Sequence, residues 1–182
     1  MRAGFPLNIL PWTGNYALFS AHFIFSLSIR YTHENMPRWT FETTPDTLSK
    51  AEKDTLAKTI TDNYVKYDIP AFLVNVFFHE NPIGTFYSGG KTPPNAVFFV
   101  LDHAARSFPD EETRLAFIDS INAIVEPILG PKRVKWEYNI YEHPPDNWRV
   151  NGMVPPVQQE KLWKEWIDND EAVKYGEYLD KK

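Results

Sequence analysis

Five histidines (His22, His33, His79, His103 and His143) are the side chains best suited to bind a metal or move a proton near neutral pH. None stands at a tight ligand spacing such as HxH or HExxH, so the sequence indicates no metal site. Asp102-His103 and Glu142-His143 are chain neighbours. Neighbours on a strand point to opposite faces, so neither makes a ready carboxylate–imidazole pair. The absence of Cys removes disulfides, thiolate ligands and a cysteine nucleophile. Ser88 and Ser107 lack a nucleophile-elbow context. Gly90-Lys91-Thr92 resembles the end of a phosphate-binding loop, but the motif needs Gly where Thr85 stands. Pro93-Pro94 also forbid the helix whose N-terminus would hold the phosphates. What remains is Met36-Pro37, a proline at the head of a strand-like segment.

The elements that would position it are regular. Arg38 to Glu42 alternate polar and apolar, which predicts a strand with one buried face. Ser49 with Glu52 three residues later is a capping box, and Leu56, Ala57, Ile60 and Tyr64 follow at helical spacing, predicting a helix from about Lys50 to Tyr67. Phe72 to Phe78 is apolar nearly throughout, as in an interior strand covered on both faces. Gly89-Gly90 marks a turn or short hairpin. The pattern then returns. Ala96 to Leu101 predicts a strand, Pro109 to Glu112 open a helix with Pro in its first turn, Gly130-Pro131 stop that helix, and Trp136, Tyr138 and Ile140 alternate in a last strand. Pro144 to Pro156 reads as an ordered loop or arm, and Glu160 to Ile167 as a short helix. The body is therefore βαβ twice, over about 37–80 and 95–142, with about 60 residues between equivalent points and little identity between halves. The fold class expected is α/β (α+β), with a four-stranded, mostly parallel sheet and two helices on one face. The uncovered face favours oligomerisation.

Composition separates this body from what precedes it. The 182 residues carry a net charge of −5, which argues against a nucleic-acid binder, and 43% hydrophobic residues suffice for a packed core. Residues 1–36 hold only Arg2, Arg30 and Glu34 as charged groups, for a net +1, and seven aromatics; the other 146 residues carry −6. The run Ala17 to Ile29 has 13 residues, short of the roughly 20 a bilayer needs, so no membrane span is expected. Residues 1–36 are read as an extension separate from the domain at 37–182. It is a poorly structured or wrongly added piece, a targeting leader, or an added strand or arm. A cytoplasmic location is expected, with a leader in residues 1–35 left open.

Residues 36–62, MPRWTFETTPDTLSKAEKDTLAKTITD, resemble the start of the tautomerase superfamily, in particular its cis-3-chloroacrylic acid dehalogenase-like group. The shared features are Met-Pro before a short strand, the Leu48-Ser49 helix start, and the Ala57 to Asp62 helix segment. Phe72 to Glu80, Phe86 to Gly90, Phe99 to Ser107 and Trp136 to Pro155 also look like this group, especially its fungal-type members. The likeness runs from about Pro37 to Trp166.

The resemblance implies an N-terminal proline exposed by loss of Met, here Pro37, as the catalytic group. An α-amino nitrogen titrates near ~8, far below Lys, and burial lowers it further, into the range of a general base. It also implies arginines holding a substrate carboxylate through their planar fork. Arg106 falls on the second of two family arginines and His103 on the first. The family's helix-end His falls on Tyr64, its last-strand Tyr on Tyr138 or Asn139, and its water-activating Glu near Val150, flanked by Arg149 and Asn151. The catalytic set carried over is thus Pro37, Arg106 and Tyr138, with His103, Arg149 and Tyr64 binding substrate. Dehalogenation loses its water-activating Glu in this match, while simple proton transfer keeps its amine. Plainer readings stay open for the same residues: Tyr138 and Tyr64 as core, His103 as a strand-end residue, Arg106 and Arg149 as surface ion-pair partners.

A small α-keto, enol or unsaturated carboxylate is the implied substrate, for proton transfer or water addition, a homotrimer the implied assembly, and no cofactor is called for. The amine exists only if the Met36–Pro37 bond is absent, since an acylated proline nitrogen has neither proton nor basicity. An enzyme is therefore expected only for a chain beginning at Pro37. The alternatives are a non-catalytic member of the fold used for binding or assembly, and a ferredoxin-like αβ-barrel monooxygenase, which predicts a dimer with antiparallel strands.

Overall fold

The computed structural model describes residues 36–104, 108–144 and 147–176, all within the unit formed by residues 31–182. The first strand, β1 (Met36–Thr43), leads to helix α1 (Lys50–Val65). The capping box forms as expected: the Ser49 hydroxyl accepts from the Glu52 backbone N–H, and the Glu52 carboxylate accepts from the Ser49 N–H at 2.8 Å. Each satisfies a donor that the start of a helix leaves unpaired. Leu56, Ile60 and Tyr64 recur every four residues and form the buried stripe of α1.

The apolar run after α1 departs from expectation. Ala71–Leu73 form a 3-10 turn, and the strand β2 starts later, at Asn75–Glu80. Phe72 is drawn out of the ladder: its ring packs 5.9 Å from Trp166 and its N–H donates to Asp170 at 3.0 Å. Nor is β2 interior. It forms an edge of the sheet with Phe77 40% exposed, so its apolar residues do not signify cover on both faces.

The second half repeats the plan. A Ser88–Lys91 bridge closes a turn over Gly89 and Gly90, both at positive φ, before β3 (Ala96–Ala104). Helix α2 (Glu111–Leu129) starts two residues later than expected. The Asp110 carboxylate accepts from the Thr113 N–H at 2.7 Å and takes the N-cap, which leaves Pro109 outside the first turn. Gly130 and Pro131 end α2 in a short 3-10 turn, and Arg133 in the left-handed region redirects the chain into β4 (Lys135–Glu142). Helix α3 (Glu160–Asn169) buries Trp163 and Trp166.

The sheet order is β2-β1-β3-β4. β1–β2 and β3–β4 are parallel, as two βαβ units require, and the units meet through the antiparallel pair β1–β3. Two of three pairings are parallel, which separates the chain from the antiparallel ferredoxin-like alternative. Trp39 and Phe41 of β1, and Phe99 and Leu101 of β3, face the helices and are almost fully buried. Their rings stack: Trp39 on Phe99 at 5.6 Å, Phe41 on Phe99 at 4.8 Å, Phe99 on Tyr138 at 4.9 Å. Each such ring contributes about 1.5–3 kcal/mol by burial alone. The opposite face is mixed. Arg38 lies over Phe77 and Lys135 over Phe98, each 5.0 Å from the ring centre, while Phe77 and Tyr141 are exposed. Among the described residues no helix is long and apolar enough to cross a membrane.

Candidate active site

Because β1 and β3 run antiparallel, the head of β1 meets the tail of β3. Pro37 lies directly opposite His103 in the ladder, and Met36 opposite Ala104. Residues paired this way project to the same side of the sheet, their Cβ atoms about 5 Å apart. That side is the helix-facing one, in phase with Trp39 and Leu101. Both Pro37 and His103 are buried.

The His103 ring is 8% exposed and held by two phenylalanines. Phe108 stacks on it at 5.2 Å and 12°, and Phe117 of α2 lies at 5.0 Å, tilted by 47°. Burial among these rings pushes its pKa down to about 4, so the imidazole is neutral at physiological pH. Its Nδ1 is buried and has no hydrogen-bond partner. The His103 carbonyl, by contrast, is engaged, accepting from the His143 N–H at 3.0 Å.

Tyr64 joins this cluster from α1. Its ring meets Phe117 edge-on at 6.3 Å, and its hydroxyl accepts from the Trp39 indole N–H at 3.2 Å. Burial raises its pKa, so it remains a phenol. Tyr138 sits elsewhere. It pairs with Phe99, four residues before His103 on β3 and thus about 13 Å along the strand. Its hydroxyl donates to Asn122 of α2 at 3.0 Å, and burial, with Asp119 nearby, raises its pKa. Arg149 is exposed in the arm after β4, and its guanidinium donates to the Trp148 carbonyl at 2.6 Å. Arg106 lies outside the described residues. The described part of the structure therefore sets Pro37 opposite His103, links Tyr64 to them only through Phe117 and Trp39, and leaves Tyr138 at a distance.

Two contributors escaped the sequence reading. Phe108 and Phe117 make the apolar walls around His103, though their only signal was ordinary hydrophobicity. Asp102 does pair with an imidazole, but with His143 rather than its neighbour, at 2.8 Å on the sheet's open face. A second such pair, His79 with Glu42 at 2.8 Å, lies on the same face. Among the described residues no group of three or more metal-ligating side chains converges.

A proline at the head of a buried central strand, in a sheet of two βαβ units, fits a protein of tautomerase type. The family model described as "Putative oxalocrotonate tautomerase enzyme" matches residues 36–171, and the chain belongs to that tautomerase family. A probable enzyme from the thermophilic fungus Aspergillus fumigatus is 38% identical, with a TM-score of 0.75 over 79% of this chain and 100% of that one. Native RhCC from Rhodococcus jostii RHA1 is 32% identical, with a TM-score of 0.71 over 76% and 99%. A fused 4-OT symmetric trimer shares the fold at 19% identity and a TM-score of 0.53, over 67% and 98%. No curated protein matches the chain.

Proposed function

We propose that the chain, once it begins at Pro37, is a proline-dependent tautomerase acting on a small α-keto, enol or unsaturated carboxylate. The observation that carries this reading is the position of Pro37: buried, second in β1, and opposite a neutral imidazole in an apolar, aromatic corner. A secondary amine there would lose hydration, which disfavours its charged form and leaves it free to take a proton. Pro37 removes a proton from the carbon beside the substrate carbonyl. The C–H electron pair becomes the new C=C bond, the carbonyl π pair moves to oxygen, and Pro37 returns the proton there. The ring holds the amine at a fixed angle, which lowers the entropy cost of each transfer. Arg106 and Arg149 hold the substrate carboxylate in this reading.

A second reading applies to the longer chain. Met36 continues β1 and pairs with Ala104, so with the Met36–Pro37 bond in place the proline nitrogen is an amide inside the ladder. That form is catalytically silent and serves binding or assembly. The mixed face bearing Phe77 and Tyr141 supports self-association, and the trimeric 4-OT neighbour makes a trimer the state to seek by light scattering.

The test is kinetic. Protein starting at Met36, with Met removed, should convert phenylenolpyruvate, and Pro37→Ala should lower kcat/KM by orders of magnitude. Equal turnover by the variant discards the role of Pro37. Intact mass and N-terminal sequencing of native protein report which form exists.

A further inference from the structure

Resting on that reading of Pro37, we propose that His103 is a catalytic residue that donates a neutral imidazole hydrogen bond to the substrate oxygen that alternates between carbonyl and enol. His103 is the ladder partner of Pro37, on the same face and at the same end of the sheet. A group held there is within reach of any small molecule whose reacting carbon meets the Pro37 nitrogen. The carbonyl oxygen lies only two bonds from that reacting carbon.

Chemistry and burial then limit what His103 can be. A core histidine in a packed protein ordinarily has both its hydrogen-bonding needs met, because an unpaired buried polar atom is costly. Here Nδ1 has no partner, and the surrounding rings, Phe108 and Phe117, offer only carbon. A phenylalanine would fill the same slot without that cost. The polar ring is therefore out of place as filler and in place as a donor awaiting an acceptor. The same apolar walls keep it uncharged. A neutral imidazole has one N–H to give and does not surrender it. It can stabilise an oxygen as negative charge grows on it without transferring a proton, while Pro37 performs both transfers. The atoms balance with Pro37 as sole carrier. His103 ends the cycle in the state in which it began. The two phenylalanines fix the ring plane, so the hydrogen bond needs no reorganisation at the transition state.

This assigns specificity as well. The group facing Pro37 is neutral, so the oxygen beside the reacting carbon should be a ketone or enol oxygen. A carboxylate placed against an uncharged buried ring would lose hydration without gaining a counter-charge there.

The experiment uses the Pro37-start protein, its His103→Phe and His103→Asn variants, and Pro37→Ala. With phenylenolpyruvate, His103→Phe should lower kcat by about 100-fold or more while KM moves only a few-fold. His103→Asn, which restores an N–H donor, should recover much of that loss. The second measurement does not depend on turnover. It is the infrared carbonyl stretch of phenylpyruvate carrying carbon-13 at the ketone, bound to each protein. The stretch should fall to lower frequency in the parent and in His103→Asn, and lie near its unperturbed position in His103→Phe. Circular dichroism and melting should show His103→Phe folded with Tm no lower than the parent. If His103→Phe keeps kcat within about threefold while Pro37→Ala is dead, the His103 inference fails and the proline reading stands. If all forms are inactive, the proline reading fails, and the carbonyl frequency alone decides His103. A frequency unaffected by His103→Phe, or no binding of the keto acid, overturns it.

Discussion

Replacing His103 by Phe should remove most of an acid lability specific to this ring. Unfolded, the imidazole titrates at 6.5; folded, burial holds it to about 4. Between those values the unfolded chain binds the proton and the folded one does not, so stability falls as pH drops through this window. It is at its full value above about pH 6.5 and levels off below about pH 4. A separation near 2.5 units at about 1.36 kcal/mol each sets a ceiling of about 3 kcal/mol, of which about 2 kcal/mol is lost by pH 5. The groups around the ring support attributing the shift to burial. Phe108 and Phe117 are apolar, Pro37 carries no charge while acylated, Asp102 points to the other face, and Glu142, the partner on β4, is exposed. Urea unfolding at pH 7.5 and pH 5.0 on the full-length parent and its His103→Phe variant, in both of which Pro37 is acylated, isolates the effect. The carboxylates of Glu52, Asp110 and Glu111, held low by Lys132, by the Thr113 N–H and by Arg114 respectively, are common to both proteins and cancel. The parent should lose about 2 kcal/mol more than the variant over this interval. Equal losses would mean that His103 takes its proton as easily folded as unfolded, and the apolar-cage account would be wrong.

Tyr64→Phe should cost about 1–3 kcal/mol in urea unfolding, because it strands the buried Trp39 indole N–H that now donates to the phenol. A cost below a few tenths of a kcal/mol would show that another acceptor serves Trp39. Ser49→Ala should cost about 1 kcal/mol by breaking the capping box at the start of α1, read as a lower urea midpoint with an unchanged slope. A midpoint unmoved by that change would mean that the pairing of Glu52 with Lys132 already fixes this end of the helix.

The parts legible in the sequence were those with a local cause. The capping box of α1 needs only Ser49 and Glu52 three residues apart, and both do what that spacing predicts. Alternation placed β1 and β4 within two residues of their ends, since one face of each meets the helices. Phe72 to Phe78 misled because hydrophobicity does not say where a side chain is buried. Phe72 goes to Trp166, nearly a hundred residues away, and Phe77 stays half open at a sheet edge. The candidate site divides the same way. Pro37 was legible through its place after Met and at a strand head. The Asp102–His143 pair was not, because it forms across two strands whose register no local pattern reveals. The cage around His103 needs β3, the loop after it and α2 together, so no spacing in the sequence announces it.

The two measurements on His103 carry more together than either alone. A core residue and a catalytic one both fail when replaced, so lost activity by itself cannot tell them apart. Their signs differ once stability is read beside rate. If the ring were filler, Phe, which keeps the stacking on Phe108 and Phe117 and removes an unpartnered Nδ1, would leave both stability and turnover at least equal to the parent. If the ring is a donor, the same change raises stability at pH 5 and lowers kcat, the opposition expected where a site keeps a polar group that the fold alone would not choose. The polar cost borne at the tail of β3 would then be explained by the amine at the head of β1.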